Sequence, residues 1–384
     1  MNTINSFNLK GKRVLLRADI NSDVKNGKVL MSERIRQSAE TIKTLKRKKA
    51  KIVIIAHQGR KGSKDYTSLK QHAELLSKYI KVSFVDDILG NKAEKAINEL
   101  KEGEAVLLEN IRSLEDEFKP GKNKIVRRFS ELCDFYINDA FSVSHRKQTS
   151  VVSLPRYMKS CAGPLLYNEL KALEKIKVKN AVYVLAGSKP EDNLKLLGKG
   201  NTVLSGGVFA LLCLVAKGYK LGNHEKLLRE KYSDFDSLIK KLKPKMKNVL
   251  VPEDFAFGSI DKASFGKGKR KEVSIDELPV EGLLPDIGSK TLERYSEEIK
   301  KAKAVYMKGP VGMAEYKKFS KGTEDLLKAI SKAKGFSLIG GGHLSSAINR
   351  LKISKKKFGH LSLSGGALLR YVAGEKLPGV EVLR

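Results

Sequence analysis

The chain predicts an α/β fold with parallel sheets, and three observations carry that expectation. Strand-sized apolar runs alternate with amphipathic stretches from end to end. Nearly every run passes directly into a polar or glycine-bearing loop. The loop chemistry changes along the chain, cationic in the first half and glycine-rich in the second. Alternation of this kind implies βαβ units, and 384 residues suit two domains at roughly 150 each. The expected architecture is therefore two α/β domains, each built on a parallel sheet.

In the first half the strands are expected at 13–18, 52–56, 82–85, 105–108 and 135–138, with amphipathic helices at 32–48 and 68–79. Ser32 and Ser68 are the expected N-caps, and Glu33 falls in a first turn, where the helix dipole favours a carboxylate. Four stretches end alike: VLLRADIN (14–21), KIVIIAHQGR (51–60), AVLLENIR (105–112) and DFYINDAFSVSHR (134–146). Carboxyl ends of parallel strands share one edge, where ligands bind. Arg17, Arg34, His57, Arg60, Arg112, His145 and Arg146 are thereby expected at one rim. Arginine forks bind phosphate and carboxylate bidentately, so the rim suits a small, strongly anionic ligand. Asp19 and Asn21 would bind hydroxyls or hold the arginines; His57 and His145 are ligand contacts or packed loop residues.

In the second half strands are expected at 180–187, 201–207, 247–254, 303–310, 336–342 and 360–366, with helices near 191–197, 207–217, 323–333, 343–351 and 366–373. The stretch 165–176, with one apolar stripe, is the expected connector. Domains are expected at 1–164 and 165–373. Glycine turns at 186–190, 205–207, 340–343 and 364–366 let backbone N–H groups approach phosphate at helix starts. Several on one sheet edge point to a nucleotide, although neither GxGxxG nor GxxxxGK[ST] occurs. Lys189, after a strand and near a helix start, is either a contact to a transferring phosphoryl group or a surface lysine.

Composition narrows the classes. Three cysteines without CxxC spacing argue against a disulfide framework or zinc site. The opening residues lack the apolar core of a secretion leader, and the longest uncharged stretch, 200–216, is short of the roughly 20 residues that span a bilayer. A cytoplasmic protein without membrane association is expected. The net charge of +32 raises a polyanion-binding reading. The basic runs at 46–49, 266–271 and 355–357 are scattered and lack interleaved aromatics, so no specific nucleic-acid partner is expected. Cations in one half and nucleotide loops in the other suggest phosphoryl transfer between a small anion and a nucleotide, with closure bringing the two together.

Together these residues resemble phosphoglycerate kinase, in its archaeal branch. The family-like elements, in order, are RADIN (17–21), ERI (33–35), HQGR (57–60), LLENIR (107–112), NDAF and HR (138–146), AGSK (186–189), SGG (205–207), VPED (251–254), DIGSKT (286–291), GPVGMAE (309–315), GGGH (340–343) and LPGV (377–380). The resemblance implies two doubly wound, Rossmann-like domains joined by a hinge helix, with about 374–384 returning to the first, in a monomer that binds 3-phosphoglycerate or 1,3-bisphosphoglycerate on the first domain and Mg²⁺-bound ADP or ATP on the second. It assigns substrate contacts to Asp19, Ile20, Asn21, His57, Gln58, Gly59, Arg60, Arg112 and Arg146. Arg34 takes the catalytic arginine position and Lys189 assists it. The nucleotide falls to Lys189, Glu315, Gly341, Gly342, His343 and Leu344. Metal ligands are not assigned.

The departures concentrate on the nucleotide side. The family often has a second lysine four residues after Lys189; here Asn193 stands there. An Asn-Gly-Pro is replaced by Lys308-Gly309-Pro310. The Asp and Thr of a GGDT turn are replaced by His343 and Leu344, and Leu363 and Ser364 stand in a reduced triple-glycine loop. Lys61 replaces a proline after HQGR. A member that keeps the anion site but uses nucleotide weakly is the alternative these changes raise.

Overall fold

The computed structural model describes residues 1–384 apart from 199, 260–264, 266 and 268. The basic run at 266–271 therefore lies partly outside the described residues. The chain divides into one unit of Met1–Lys171 with Gly374–Arg384 and another of Ala172–Ala373.

The first unit holds, among the described residues, β1 (Arg13–Arg17), a small hairpin of β2 (Val24–Lys25) and β3 (Lys28–Val29), β4 (Lys51–Ile55), β5 (Ser83–Val85), β6 (Ala105–Leu108), β7 (Phe135–Asn138) and β8 (Lys159–Ala162). Six of these form a parallel sheet in the order β5-β6-β4-β1-β7-β8. Central strands of such sheets are buried on both faces and read as continuous apolar runs. Val14, Leu16, Ile52 and Ile54 feed the core on one face, and Leu15, Val53, Ile55 and Val106 the core on the other. The faces are covered by α1 (Glu33–Arg47), α2 (Lys70–Ser77), α3 (Asn91–Glu99), α4 (Lys124–Leu132) and α5 (Leu154–Tyr157).

Ser32 caps α1 as expected, its hydroxyl accepting from the Ile35 N–H at 3.4 Å, with Glu33 in the first turn and Lys46 and Arg47 in the last. The same hydroxyl lies 2.7 Å from that of Ser22. Ser32→Ala is expected to lower stability by about 1 kcal/mol; an unchanged urea midpoint would show the cap to be redundant. The N-cap of α2 is Leu69, one residue after the expected Ser68. The Ser68 hydroxyl still accepts from the Lys70 N–H at 3.2 Å while donating to the Glu109 carboxylate, which also accepts from the Leu69 N–H at 2.9 Å.

The helix α6 (Pro164–Lys175) follows β8 and contains the division between units. Asp139 caps its start, accepting from the Leu165 N–H at 2.7 Å and from the Thr41 hydroxyl at 2.6 Å. Burial pushes the Asp139 carboxyl up to about 6.

The second unit has its own parallel sheet of β9 (Ala181–Leu185), β10 (Thr202–Ser205), β11 (Val249–Leu250), β15 (Ala304–Lys308), β16 (Phe336–Gly340) and β17 (His360–Ser362), ordered β11-β10-β9-β15-β16-β17. The chain runs outward from β9 to β11, then resumes at β15 on the other side. The strand order thus reverses between β9 and β15, the place where open α/β sheets form a ligand crevice. A second sheet, antiparallel and unforeseen, joins β12 (Asp254–Gly258), β13 (Lys271–Ser274) and β14 (Leu283–Ile287) in the order β13-β12-β14.

This corrects the single strand expected at 247–254. Pro252 has no N–H to give a ladder, so β11 ends at Leu250 and the chain re-enters the antiparallel sheet at Asp254. The helices of this unit are α7 (Pro190–Leu194), α8 (Gly207–Ala216), α9 (Asn223–Lys231), α10 (Phe235–Leu242), α11 (Ser289–Lys301), α12 (Lys321–Lys332), α13 (Gly342–Arg350) and α14 (Gly366–Val372). The last helix, α15 (Pro378–Glu381), packs in the first unit, where the Gly379 N–H donates to the Ser144 carbonyl at 2.8 Å.

Candidate functional site

The first unit gathers its cations at the carboxyl ends of β1, β4, β6 and β7. The chain leaves β1 through Asp19 to Asn21 and turns into α1, whose first turn carries Arg34. Asp19 sits 3.6 Å from the Arg34 guanidinium, and the Asn21 carbonyl accepts from Arg34 at 3.2 Å. Asp19 and Asn21 therefore aim the arginine. The Asn21 side chain also accepts from the Gly59 N–H at 2.8 Å, tying the first loop to the second. Gly59 has φ +64°, and a Cβ there would lie 2.6 Å from the Tyr66 nitrogen, so the turn needs glycine.

Gln58 is fully buried and works as a strut. Its side chain accepts from the Ser22 N–H and donates to the Ser22 and Asp65 carbonyls, each at 2.9 Å. His72 Nε2 meets the same Gln58 oxygen at 3.0 Å. Ile20 is also buried, its side chain part of the core, so only its backbone can face a ligand. The Arg112 guanidinium donates to the Gly59 carbonyl, and its Nε, buried, has no hydrogen-bond partner among the described residues. Arg60 is exposed and Arg146 half-buried.

Arg17 corrects the expected rim. It is completely buried beneath it. Its guanidinium donates to the Ser150 hydroxyl at 3.0 Å, the Ala18 carbonyl at 2.7 Å and His57 Nδ1 at 3.0 Å. Because Nδ1 accepts, the ring proton of His57 resides on Nε2. Burial, then the charges of Arg17, Arg112, Arg34 and Arg146, hold His57 well below the usual histidine range. The Arg112 guanidinium is itself pushed down to about 10 by burial and by Arg17 and Arg146. These effects mark one electropositive focus, with Arg17, Arg34, Arg112 and Arg146 around a neutral His57 and Arg60 beside Arg112. Ser150 passes the network to Glu117, its hydroxyl donating to the carboxylate at 2.6 Å.

His72 ties this site to pH. Burial lowers it from 6.5 to about 4. A depressed histidine stabilises the fold above its unfolded value, and that contribution is lost as pH falls from about 6.5 to about 4. Over the full window the loss is roughly 3 kcal/mol. His72→Gln is expected to flatten the urea-unfolding free energy between pH 6.5 and 4 relative to the parent. Parallel pH profiles would refute this role.

The second unit surrounds a cavity of about 830 Å³ at the β9/β15 reversal. Its wall includes Lys189, Glu315, Gly341, His343 and Leu344, though not Gly342. Four helix starts reach it. Lys189 is the N-cap residue of α7, Gly207 opens α8, Gly341 precedes α13 and Gly365 precedes α14. Helix N-termini bind phosphate through free N–H groups and the dipole. Lys189, Glu315 and His343 are exposed, whereas Leu344 belongs to the core. Gly309 has φ +78°, and a Cβ there would lie 2.7 Å from the Ala186 carbonyl, so the β9 and β15 ends meet only with glycine.

Sequence reasoning missed the apolar part of this wall, including Leu211, Leu284, Pro285, Tyr306 and Met313. They lie on four separate segments, and no spacing links them.

The phosphoglycerate kinase family model matches residues 4–375. A phosphoglycerate kinase of Sulfurisphaera tokodaii is 40% identical over 99% of this chain and 95% of its own length. One from Methanothermus fervidus is 38% identical over 99% of this chain and 96% of its own. The crystal structure of the phosphoglycerate kinase of Pyrococcus horikoshii superposes with a TM-score of 0.87 at 34% identity, covering 100% of this chain and 98% of that one.

Proposed function

The chain belongs to the phosphoglycerate kinase family, and we propose that its anionic substrate binds the arginine focus of the first unit and its nucleotide the cavity of the second. The activity is reversible phosphoryl transfer between 1,3-bisphosphoglycerate and ADP, giving 3-phosphoglycerate and ATP, a step of glycolysis. The observation that carries the substrate assignment is the gathering of Arg17, Arg34, Arg112 and Arg146 around His57, with Arg60 beside Arg112; burial first, and these charges next, lower the proton affinity of His57 and of Arg112. Cations packed so closely repel one another, and a multivalent anion relieves that repulsion.

In the direction of acyl phosphate formation the nucleophile is the substrate carboxylate, already ionised at neutral pH. No general base is needed. Phosphoryl transfer then depends on positioning and charge neutralisation. Arg112, Arg60, Arg146 and the His57 Nε2–H hold the substrate, while Arg34, aimed by Asp19, neutralises charge on the transferring group. Lys189 and the helix starts at 207, 341 and 365 hold nucleotide phosphates.

Among the described residues no cluster of three or more His, Cys, Asp or Glu is placed to hold a metal. Mg²⁺ is typically held by one or two carboxylates plus substrate phosphates. Asp192, on the cavity wall near Lys189, fits that single-carboxylate role for a metal arriving with the nucleotide. When bound, Mg²⁺ would supply further neutralisation of the phosphate oxygens.

The test is a coupled assay with 3-phosphoglycerate, MgATP and glyceraldehyde-3-phosphate dehydrogenase, paired with calorimetry of each substrate. NADH oxidation well above an enzyme-free blank is expected, with separate binding of 3-phosphoglycerate and ADP. Binding of 3-phosphoglycerate without ADP binding would overturn the nucleotide assignment.

A further inference from the structure

We infer that Lys308 is a second phosphate-binding cation of the nucleotide site, resting on the nucleotide assignment made above. It is the last residue of β15, paired in register with Leu185 of β9 at the point where strand order reverses. Its side chain lies on the cavity wall with only 19% exposure. The ammonium donates to Asn193 Oδ1 at 2.9 Å and lies 3.7 Å from the Asp192 carboxylate.

Asn193 is fully buried, and its amide nitrogen donates to the Ala186 carbonyl at 3.1 Å. That bond turns the amide oxygen toward Lys308. An ammonium has three donors, and Asn193 takes one. The Asp192 contact is longer than a hydrogen bond. Donors are therefore left over on a mostly desolvated cation, beside glycine turns built to approach phosphate.

A buried charge without full compensation is costly, and a polyphosphate supplies the missing compensation.

Asn193 and Lys308 are two of the positions at which the chain departs from the pattern it resembles, and their side chains touch. The pair places a second cation on the cavity wall that Lys189 also lines.

The experiment compares the intact protein with Lys308→Met, which keeps the apolar stem and removes the charge, and with the reciprocal pair Asn193→Lys/Lys308→Asn. ADP, adenosine and 3-phosphoglycerate are titrated by calorimetry, and kcat is measured. Lys308→Met is expected to weaken ADP at least tenfold, with adenosine and 3-phosphoglycerate within about twofold of the parent, because adenosine has no phosphate to lose. The reciprocal pair is expected to recover most of the ADP affinity. Unchanged ADP binding and kcat in Lys308→Met would overturn the inference. So would equal losses for ADP and adenosine, which mark a structural role. Failure of the parent itself to bind ADP would overturn the nucleotide assignment along with it.

Discussion

Arg34→Ala is expected to fold normally and to lose on the order of 10³-fold in kcat, the scale of an arginine that neutralises charge on a transferring phosphoryl group. Its fold should survive because Arg34 is not on the packed face of α1, which is made by Ile35, Ala39, Ile42 and Leu45. Truncation removes a half-exposed guanidinium and leaves no core cavity. What is lost is an oriented charge: Asp19 at 3.6 Å and the Asn21 carbonyl at 3.2 Å hold it in place before substrate arrives. Such preorganisation is what lowers a barrier, since nothing need reorganise during transfer. Arg34→Lys keeps charge without the fork and should fall between the two. The coupled assay gives kcat, and far-UV circular dichroism with a urea midpoint controls for folding. Turnover in Arg34→Ala within about tenfold of the parent would remove Arg34 from the chemistry.

Much of the scaffold was legible because parallel strands buried on both faces leave an unmistakable mark. Val14 to Leu16 and Ile52 to Ile55 read as strands and are strands. The polar residues that follow β4 and β6, the His57–Arg60 loop and Arg112, share one edge as strand polarity requires. Legibility failed where a single residue changed the local rules. Pro252 interrupts one apolar run, and Glu109 shares with Ser68 the N–H groups at the start of α2, where the N-cap is Leu69. Depth was the other failure. A residue at the end of a strand can face a ligand or lie beneath the loop that does, and spacing does not separate the two. Arg17 was placed on the rim and lies under it. Glu117, its buried counterweight, carried no signal at all, being one acidic residue in the run LEDEF. The Asn193–Lys308 pairing was equally hidden, since the residues are 115 apart and only the β9–β15 register brings them together.

That buried layer underlies the second large effect. Arg17→Met is expected to cost about 3–5 kcal/mol of stability, the usual penalty for removing one partner of a buried ionic network. Arg17 and Glu117 are both fully buried and joined through Ser150, whose hydroxyl accepts from Arg17 and whose hydroxyl and N–H both donate to the carboxylate. Burial raises the Glu117 carboxyl, while Arg17 and the two Ser150 bonds oppose that rise. Without Arg17 the carboxylate keeps its hydrogen bonds and the weaker influence of Arg112 but loses its largest countercharge. Methionine has similar reach and little polarity, so the loss should come from the stranded charge more than from a cavity. Arg17→Met/Glu117→Gln removes that charge and is expected to recover more than half of the lost stability, a coupling that independent sites would not show. The double variant still lacks the donor that fixes His57 Nδ1. Its 3-phosphoglycerate affinity should therefore stay low even where its urea midpoint recovers. Strictly additive losses in the two single variants would show that Arg17 and Glu117 do not act as a pair. Restored substrate affinity in the double variant would show that His57 keeps its Nε2 proton without Arg17.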